Sequence, residues 1–275
     1  MKNILYPTDF SDNSLQAYPY ALDVALLLNA KLTLFNTYQL PYSKANLIVS
    51  IKDRMKKDSE DELQALKTKA LSDPKYKNID ISIDTRCGGF VTEIDKVVRS
   101  SMFDGIVMGT KGADGLKEMV IGSNTLEVIH VTHCPVLVIP EKAENTKVDR
   151  IAMATDLKKV KELKQLLPLF EMAKICRASI EFVHVVQNKL SEDEVSRQVE
   201  ILQGLAGDIK TSIHFVSNED IIDGLSEYIL GTKPDMLAML SRKHSLFERL
   251  FTRSITNKLS FRTKIPLFVM DEQVQ

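Results

Sequence analysis

Short apolar runs alternate with amphipathic stretches along the first half of the chain. Ile4 to Tyr6, Leu32 to Phe35, Ile79 to Ile83, Ile106 to Met108 and Val136 to Ile139 are aliphatic or β-branched and bounded by turn residues. That is the pattern of strands buried on both faces. Between them, "SLQAYPYALDVALLLNA", "EDELQALKTKALS", "TEIDKVVRSS" and "NTLEVIHVT" repeat apolar residues at three- and four-residue spacing, as Leu63, Leu66 and Ala70 do, which predicts helices with one buried face. Strand–helix alternation of this length implies right-handed crossovers and a doubly wound parallel sheet of five strands.

The second half repeats the first. "KNILYPTDFS" returns as "DRIAMATDLK", setting Asp9 against Asp156, and "AKLTLFNTY" returns as "ASIEFVHVV". "DGIVMGTKG" matches "DMLAMLSRK", and "CPVLVIP" matches "IPLFVMD", in the same order. The polar stretch "EKAENTK" (141–147) between the copies reads as a linker. The expected organisation is two α/β domains in tandem, 1–142 and 148–275, each a doubly wound, Rossmann-like parallel sheet. In the second, "SEDE" (191–194) has the form of a capping box before "VSRQVEILQGLA".

Composition narrows the class of partner. With 36 Lys+Arg against 37 Asp+Glu the formal net charge is -1, so no global field draws the chain to nucleic acid or an anionic membrane. The start of the chain lacks a long apolar signal core, and no run of about 18 apolar residues occurs. A soluble, cytoplasmic protein is expected. Cys87, Cys134 and Cys176 lie far apart without a CxxC pair, which predicts reduced, mostly packed thiols.

A candidate site follows from the winding. Doubly wound sheets bind ligands outside the carboxyl ends of their strands, where the winding reverses. In a 3-2-1-4-5 order that places Pro7, Thr8 and Asp9 opposite "MGTKGADGLKEMVIGSNT" (108–125), which holds four of the eleven glycines. Gly109 and Gly112 can present bare backbone N–H groups to an anion, with positive φ open to them. Gly122, Ser123 and Asn124 open the last helix, whose first N–H groups are unpaired and carry the positive end of its dipole. Phosphates suit that end, and Asp9 suits ribose hydroxyls. Asp9 as a cap of the following helix is the plainer reading. Lys111 reads as a solvated loop lysine, and His130 and His133 as favourable charges near a helix C-terminus.

Gly109, two residues, Gly112, nine residues, Gly122 and then Ser123 fit the G-x2-G-x9-G-[ST] signature of the universal stress proteins, and "YPTDFS" resembles that family's first-strand ending. The resemblance covers the whole chain as a tandem of two family domains. It implies an adenine nucleotide alpha hydrolase-like fold. It also implies that Pro7, Thr8, Asp9, Thr37, Met108, Gly109, Gly112, Gly122, Ser123 and Asn124 hold ATP, or ADP or AMP, with Mg²⁺ accompanying a triphosphate. Asn36 and Thr37 stand where the family usually has His-Val, and some members bind no nucleotide.

The second half departs at the motif. Leu240, Lys243 and Arg253 replace the three glycines, and Ser254 alone keeps its type. Arg242, Lys243, His244, Arg249 and Arg253 make this segment basic, a site for a different anion or a filling for the vacated space. The first half is 17 residues longer between its second and fourth strands. The excess includes 39–61, where Ile51 and Met55 lie one helical turn apart, read as a lid over the nucleotide or as a fixed surface helix. Strand five, "VLVI" or "LFVM", is an apolar edge. The family commonly dimerises there, which implies an intramolecular pseudo-dimer of the two domains, and further homodimerisation is compatible with it. The chain has no P-loop, GxGxxG, HExxH or GxSxG motif. The expected function is therefore nucleotide binding by a stress-response regulatory module with an unidentified protein partner. A slow ATPase and a nucleotide-free interaction scaffold are the alternatives.

Overall fold

Strands form on the expected apolar runs, and the first four reach further towards their carboxyl ends than the runs themselves. A computed structural model describes residues 1–41, 45–101, 103–110, 122–141, 143, 147–155, 163–186, 192–241 and 265–271. In the first half these residues form β1 (Asn3–Pro7), α1 (Asp12–Leu28), β2 (Lys31–Tyr38), α2 (Ala45–Ser72), β3 (Ile81–Cys87), α3 (Phe90–Ser101), β4 (Gly105–Gly109), α4 (Ser123–Val131) and β5 (Val136–Ile139). In the second they form β6 (Arg150–Ala154), a 3₁₀ turn (Leu163–Leu166), α5 (Leu167–Cys176), β7 (Ser179–Val186), α6 (Glu192–Ala206), β8 (Thr211–Ser217), α7 (Ile221–Thr232), β9 (Met236–Ser241) and β10 (Leu267–Asp271). The proposed cap Ser191 lies outside the described residues.

The described residues divide into two compact units that meet in sequence between Leu137 and Val138. The first has strand order β3-β2-β1-β4 followed by the start of β5, and the second β8-β7-β6-β9-β10. The pairings of β1 with β2 and β4, and of β6 with β7 and β9, are parallel, as the alternation predicts. Ile4, Leu5, Tyr6, Leu32, Leu34 and Phe35 are almost wholly buried, because helices cover both faces of the sheet. The outer strand β3 is less buried and carries the Arg86–Asp84 ion pair, a charged edge of the kind that resists further pairing.

Matching hydrogen bonds mark the internal repeat atom by atom. One carboxylate oxygen of Asp104 accepts the amides of Lys2 and Asn3, and one of Asp235 accepts those of Asp149 and Arg150. Thr8 N–H donates to Phe35 O at 2.9 Å and Thr155 N–H to Val183 O at 3.0 Å. Ile106 N–H donates to Pro135 O, and Leu237 N–H to Pro266 O. Each carboxylate satisfies two amides at the strand start that no neighbouring strand reaches.

The thiols differ from expectation at one position. Cys134 is buried and Cys176 half-buried, where burial pushes its thiol up to about 11. Cys87 is exposed instead of packed. It ends an outer strand, where one side has no neighbouring strand to cover it.

Candidate functional site

The β1–α1 loop is shaped by side-chain oxygens acting on its own backbone. Thr8 is buried, and its Oγ1 lies 2.9 Å from Ser14 Oγ and accepts the Phe10 amide at 3.0 Å. Phe10 has φ 61, a left-handed conformation that costs a bulky residue roughly 1–2 kcal/mol; the Thr8 acceptor holds it there. Asp9 is exposed, and its Oδ1 accepts both the amide (3.1 Å) and the hydroxyl (2.6 Å) of Ser11. Ser11, not Asp9, is the N-cap of α1, accepting from the Ser14 amide. Partial burial raises the Asp9 carboxyl, but the Ser11 hydroxyl and amide outweigh it and hold the group below the usual carboxylate range.

Across the switch point, β1 and β4 run in parallel register with Ile4 beside Gly105 and Leu5 beside Ile106. Met108 is buried and Gly109 half-buried at the end of β4. Gly109 lacks a side chain for a reason the motif does not reveal. A Cβ there would lie 2.6 Å from the Asn13 carbonyl oxygen of α1 and 3.3 Å from its carbon, closer than real Cβ atoms approach backbone. The Gly109 backbone therefore seats the first turns of α1. Its φ is not positive; among the described glycines that conformation falls elsewhere. Gly109 thus does not use the positive φ open to a glycine: it is a strand residue whose missing Cβ is needed for helix packing.

Helix α4 begins beside this strand end. Gly122, its N-cap, has φ -62 and ψ 154 and supplies no side-chain cap, so the first-turn N–H groups face outward unsatisfied by the cap. Ser123 and Asn124 are exposed there. Thr125 donates its hydroxyl to Gly109 O at 3.2 Å, which ties the start of α4 to the end of β4. Thr37 is half-buried on β2 beside Arg86 of β3. Gly112 and Lys111 lie outside the described residues.

Asn36, which stands where the family usually has His, serves the backbone. It is buried, and its Nδ2 donates to Thr8 O at 2.7 Å while its Oδ1 accepts from Ser59 Oγ at 2.7 Å. In the second unit His184 Nδ1 makes the equivalent bond to Thr155 O at 2.9 Å. A carbonyl only accepts, so Nδ1 carries the proton. Asn and His are interchangeable here as donors to the backbone at the end of the first strand. Ser59 and Thr125 escaped notice in the sequence, although a serine within the Ile51, Met55, Leu63 stripe is a readable signal.

Most of the extra length of the first half lies in α2, one continuous 28-residue helix against the 15 residues of α6. Ile51 and Met55 are half-buried and Leu63 fully buried. In the second unit Asp156, Arg242, Lys243, His244, Arg249, Arg253 and Ser254 lie outside the described residues, while Leu240 is half-buried in β9. Among the described residues no helix is long and apolar enough to cross a membrane, and no cluster of metal-ligating side chains occurs.

Two doubly wound α/β units in tandem, the first with an acidic loop and an uncapped helix start at its switch point, define a class of ligand-binding fold. The model of the universal stress protein family matches residues 1–140. A universal stress protein of Methanocaldococcus jannaschii is 30% identical over 144 residues, 50% of this chain and 81% of that protein. A second from the same organism is 29% identical over 159 residues, 51% of this chain and 96% of that one. The solved structure of a universal stress protein from Archaeoglobus fulgidus covers 98% of both chains with a TM-score of 0.73 at 21% identity, a shared fold over both units. The chain belongs to the universal stress protein family.

Proposed function

We propose that the first unit binds ATP, or the related ADP or AMP, and that the protein is a nucleotide-responsive stress-regulatory module. The observation that carries this reading is the meeting of two complementary ends. The Asp9 carboxylate lies beyond β1, and the uncapped start of α4 is bonded to the end of the neighbouring β4. Asp9 accepts hydrogen bonds from the ribose hydroxyls; both Ser11 bonds fall on Oδ1, which leaves lone pairs on Oδ2 for them. The N–H groups of Ser123 and Asn124 and the Ser123 hydroxyl take phosphate oxygens. Pro7, Thr8, Thr37 and Met108 flank the adenosine, and Gly109, Gly112 and Gly122 keep side chains away from the phosphates. A triphosphate brings Mg²⁺ on its own oxygens.

The second unit, with Leu240 in place of Gly109, stays empty. Domains of 1–142 and 148–275 are the corresponding functional division. The test is titration calorimetry of the full chain with ATP, ADP and AMP in the presence of Mg²⁺. One site per chain is expected, weakened roughly thirtyfold in Asp9→Ala. Absence of heat with all three nucleotides sinks the reading, and two sites per chain sink the assignment of an empty second unit.

A further inference from the structure

Helix α2 carries a polar residue in the middle of its inward stripe. Ile51, Met55, Ser59 and Leu63 follow at four-residue spacing, and Ser59 is buried. A hydroxyl removed from water destabilises the fold unless it is bonded. This one donates to Asn36 Oδ1 and lies 2.7 Å from Thr85 Oγ1. A hydroxyl has a single proton, so Thr85 is the donor in the second contact. Asn36 Nδ2 donates in turn to Thr8 O, and Thr8 Oγ1 accepts the amide of left-handed Phe10. A buried chain of polar groups thus links the middle of α2 to the loop that carries Asp9.

On its N-terminal side of Ser59, α2 continues as Ala45–Asp58, half of its 28 residues. At 1.5 Å per residue that is about 20 Å of helix, with Lys52, Asp53, Arg54, Lys56 and Lys57 exposed. Among the described residues of the second unit the corresponding position differs. Gln198 stands one turn ahead of buried Leu202, as Ser59 stands one turn ahead of buried Leu63, and its Oε1 is buried without a hydrogen-bond partner.

We infer that Ser59 and Asn36 are positioning residues that couple Ala45–Asp58 to the Asp9 loop, so that occupancy of the first unit is expressed as order in that half of α2. The trigger rests on the nucleotide reading above; the coupling belongs to the ligand-free chain and is tested without it.

Amide hydrogen exchange on the full ligand-free chain compares wild type, Ser59→Ala and Ser59→Thr. Ser59→Ala is expected to speed exchange at Phe10 and Ser11, on an element that Ser59 does not touch, by about three- to tenfold, the worth of one net hydrogen bond. Ser59→Thr, which keeps the hydroxyl, restores the wild-type rates. Should Ser59→Ala lose its cooperative fold, Thr85→Val removes the donor behind Ser59 from the outer strand and moves the same amides in the same direction. Added ATP slows exchange across Ala45–Asp58 in wild type, and binds Ser59→Ala without slowing it. Faster exchange confined to α2, with Phe10 and Ser11 unchanged, overturns the coupling. Absence of ATP binding to wild type sinks the nucleotide reading alone, and the ligand-free rates still decide the coupling.

Discussion

At the end of β4 the first unit has Gly109, against which the Asn13 carbonyl packs, and α1 is helical from Asp12 onward. At the matching place in β9 the second unit has Leu240, and its described residues resume after β6 with a 3₁₀ turn, Leu163–Leu166, ahead of α5 from Leu167. A side chain at this strand end and a helix seated against it compete for one volume. The scaffold bonds at Asp104 and Asp235, and at Thr8 and Thr155, are the same in both units. What diverges is the residue at the mouth of the sheet, Gly109 in one unit and Leu240 in the other, so the scaffold and its strand end vary separately.

The opposite ends of the sheets diverge too. Thr33 and Ser82 share a hydrogen bond in the first unit. Where β7 and β8 carry Glu181 and Ser212 in the same register, the second unit builds an ionic network. Arg150 donates to both carboxylate oxygens of Glu181, and Tyr228 donates to Oε2 at 2.9 Å. Burial raises the Glu181 carboxyl, yet the bonds from Arg150 and Tyr228 hold it below its ordinary value. This polar reinforcement lies away from the strand ends where ligands bind, so its cost and benefit are structural.

The comparison breaks most sharply at Gly109. Gly109→Leu, which installs the residue of the second unit, is expected to destabilise the first unit by about 3 kcal/mol through overpacking against backbone. Nucleotide binding is lost with it. Thermal denaturation and calorimetry check both, and an unchanged melting temperature would show that α1 yields without cost.

Asp9→Ala comes next. It removes a charged acceptor from Ser11 and, under the proposed function, from the ribose, with an expected effect of about 2 kcal/mol or roughly thirtyfold in ATP affinity. The carboxyl is held below its usual range in the folded chain, so its contribution is complete at neutral pH and is lost as pH falls through that lowered value. ATP affinity measured by calorimetry at falling pH should decline through Asp9 only in the acid range, and the Asp9→Ala chain should show no such component.

Tyr228→Phe sharpens the contrast from the other side. It leaves Glu181 one donor short, and should lower the stability of the second unit by about 1 kcal/mol while ATP affinity stays unchanged. Urea denaturation followed in each unit, with calorimetry alongside, separates the two readouts. The smallest effect expected is that of Thr125→Val. Loss of the bond to Gly109 O loosens the start of α4 and weakens ATP binding about threefold, with the second unit unaffected.

Much of this molecule is legible in its one-dimensional pattern. Buried strands read as apolar runs because both faces of a parallel sheet are covered, and the repeat is visible because Asp104 and Asp235, or Asn36 and His184, perform the same backbone task in each copy. Strand ends were less legible: β2 continues through Asn36, Thr37 and Tyr38, whose polar members are paired by the neighbouring strand and not marked by hydrophobicity. The continuity of α2 through the extra segment was equally hidden, since Lys52, Asp53, Arg54, Lys56, Lys57 and Asp58 crowd exposed charge around its apolar stripe.

The order of apolar and polar residues alone determined the fold class, the tandem repeat and which copy keeps its glycines, because burial periodicity and the absence of a Cβ are properties of single positions. Only the folded chain decided that Gly109 is kept small by the Asn13 carbonyl, that Ser11 and not Asp9 caps α1, and that Asn36 and Ser59 join α2 to the β1 loop. Each of these is a relation between atoms from different parts of the chain or from neighbouring turns, fixed by packing density and by the need of every buried polar group for a partner.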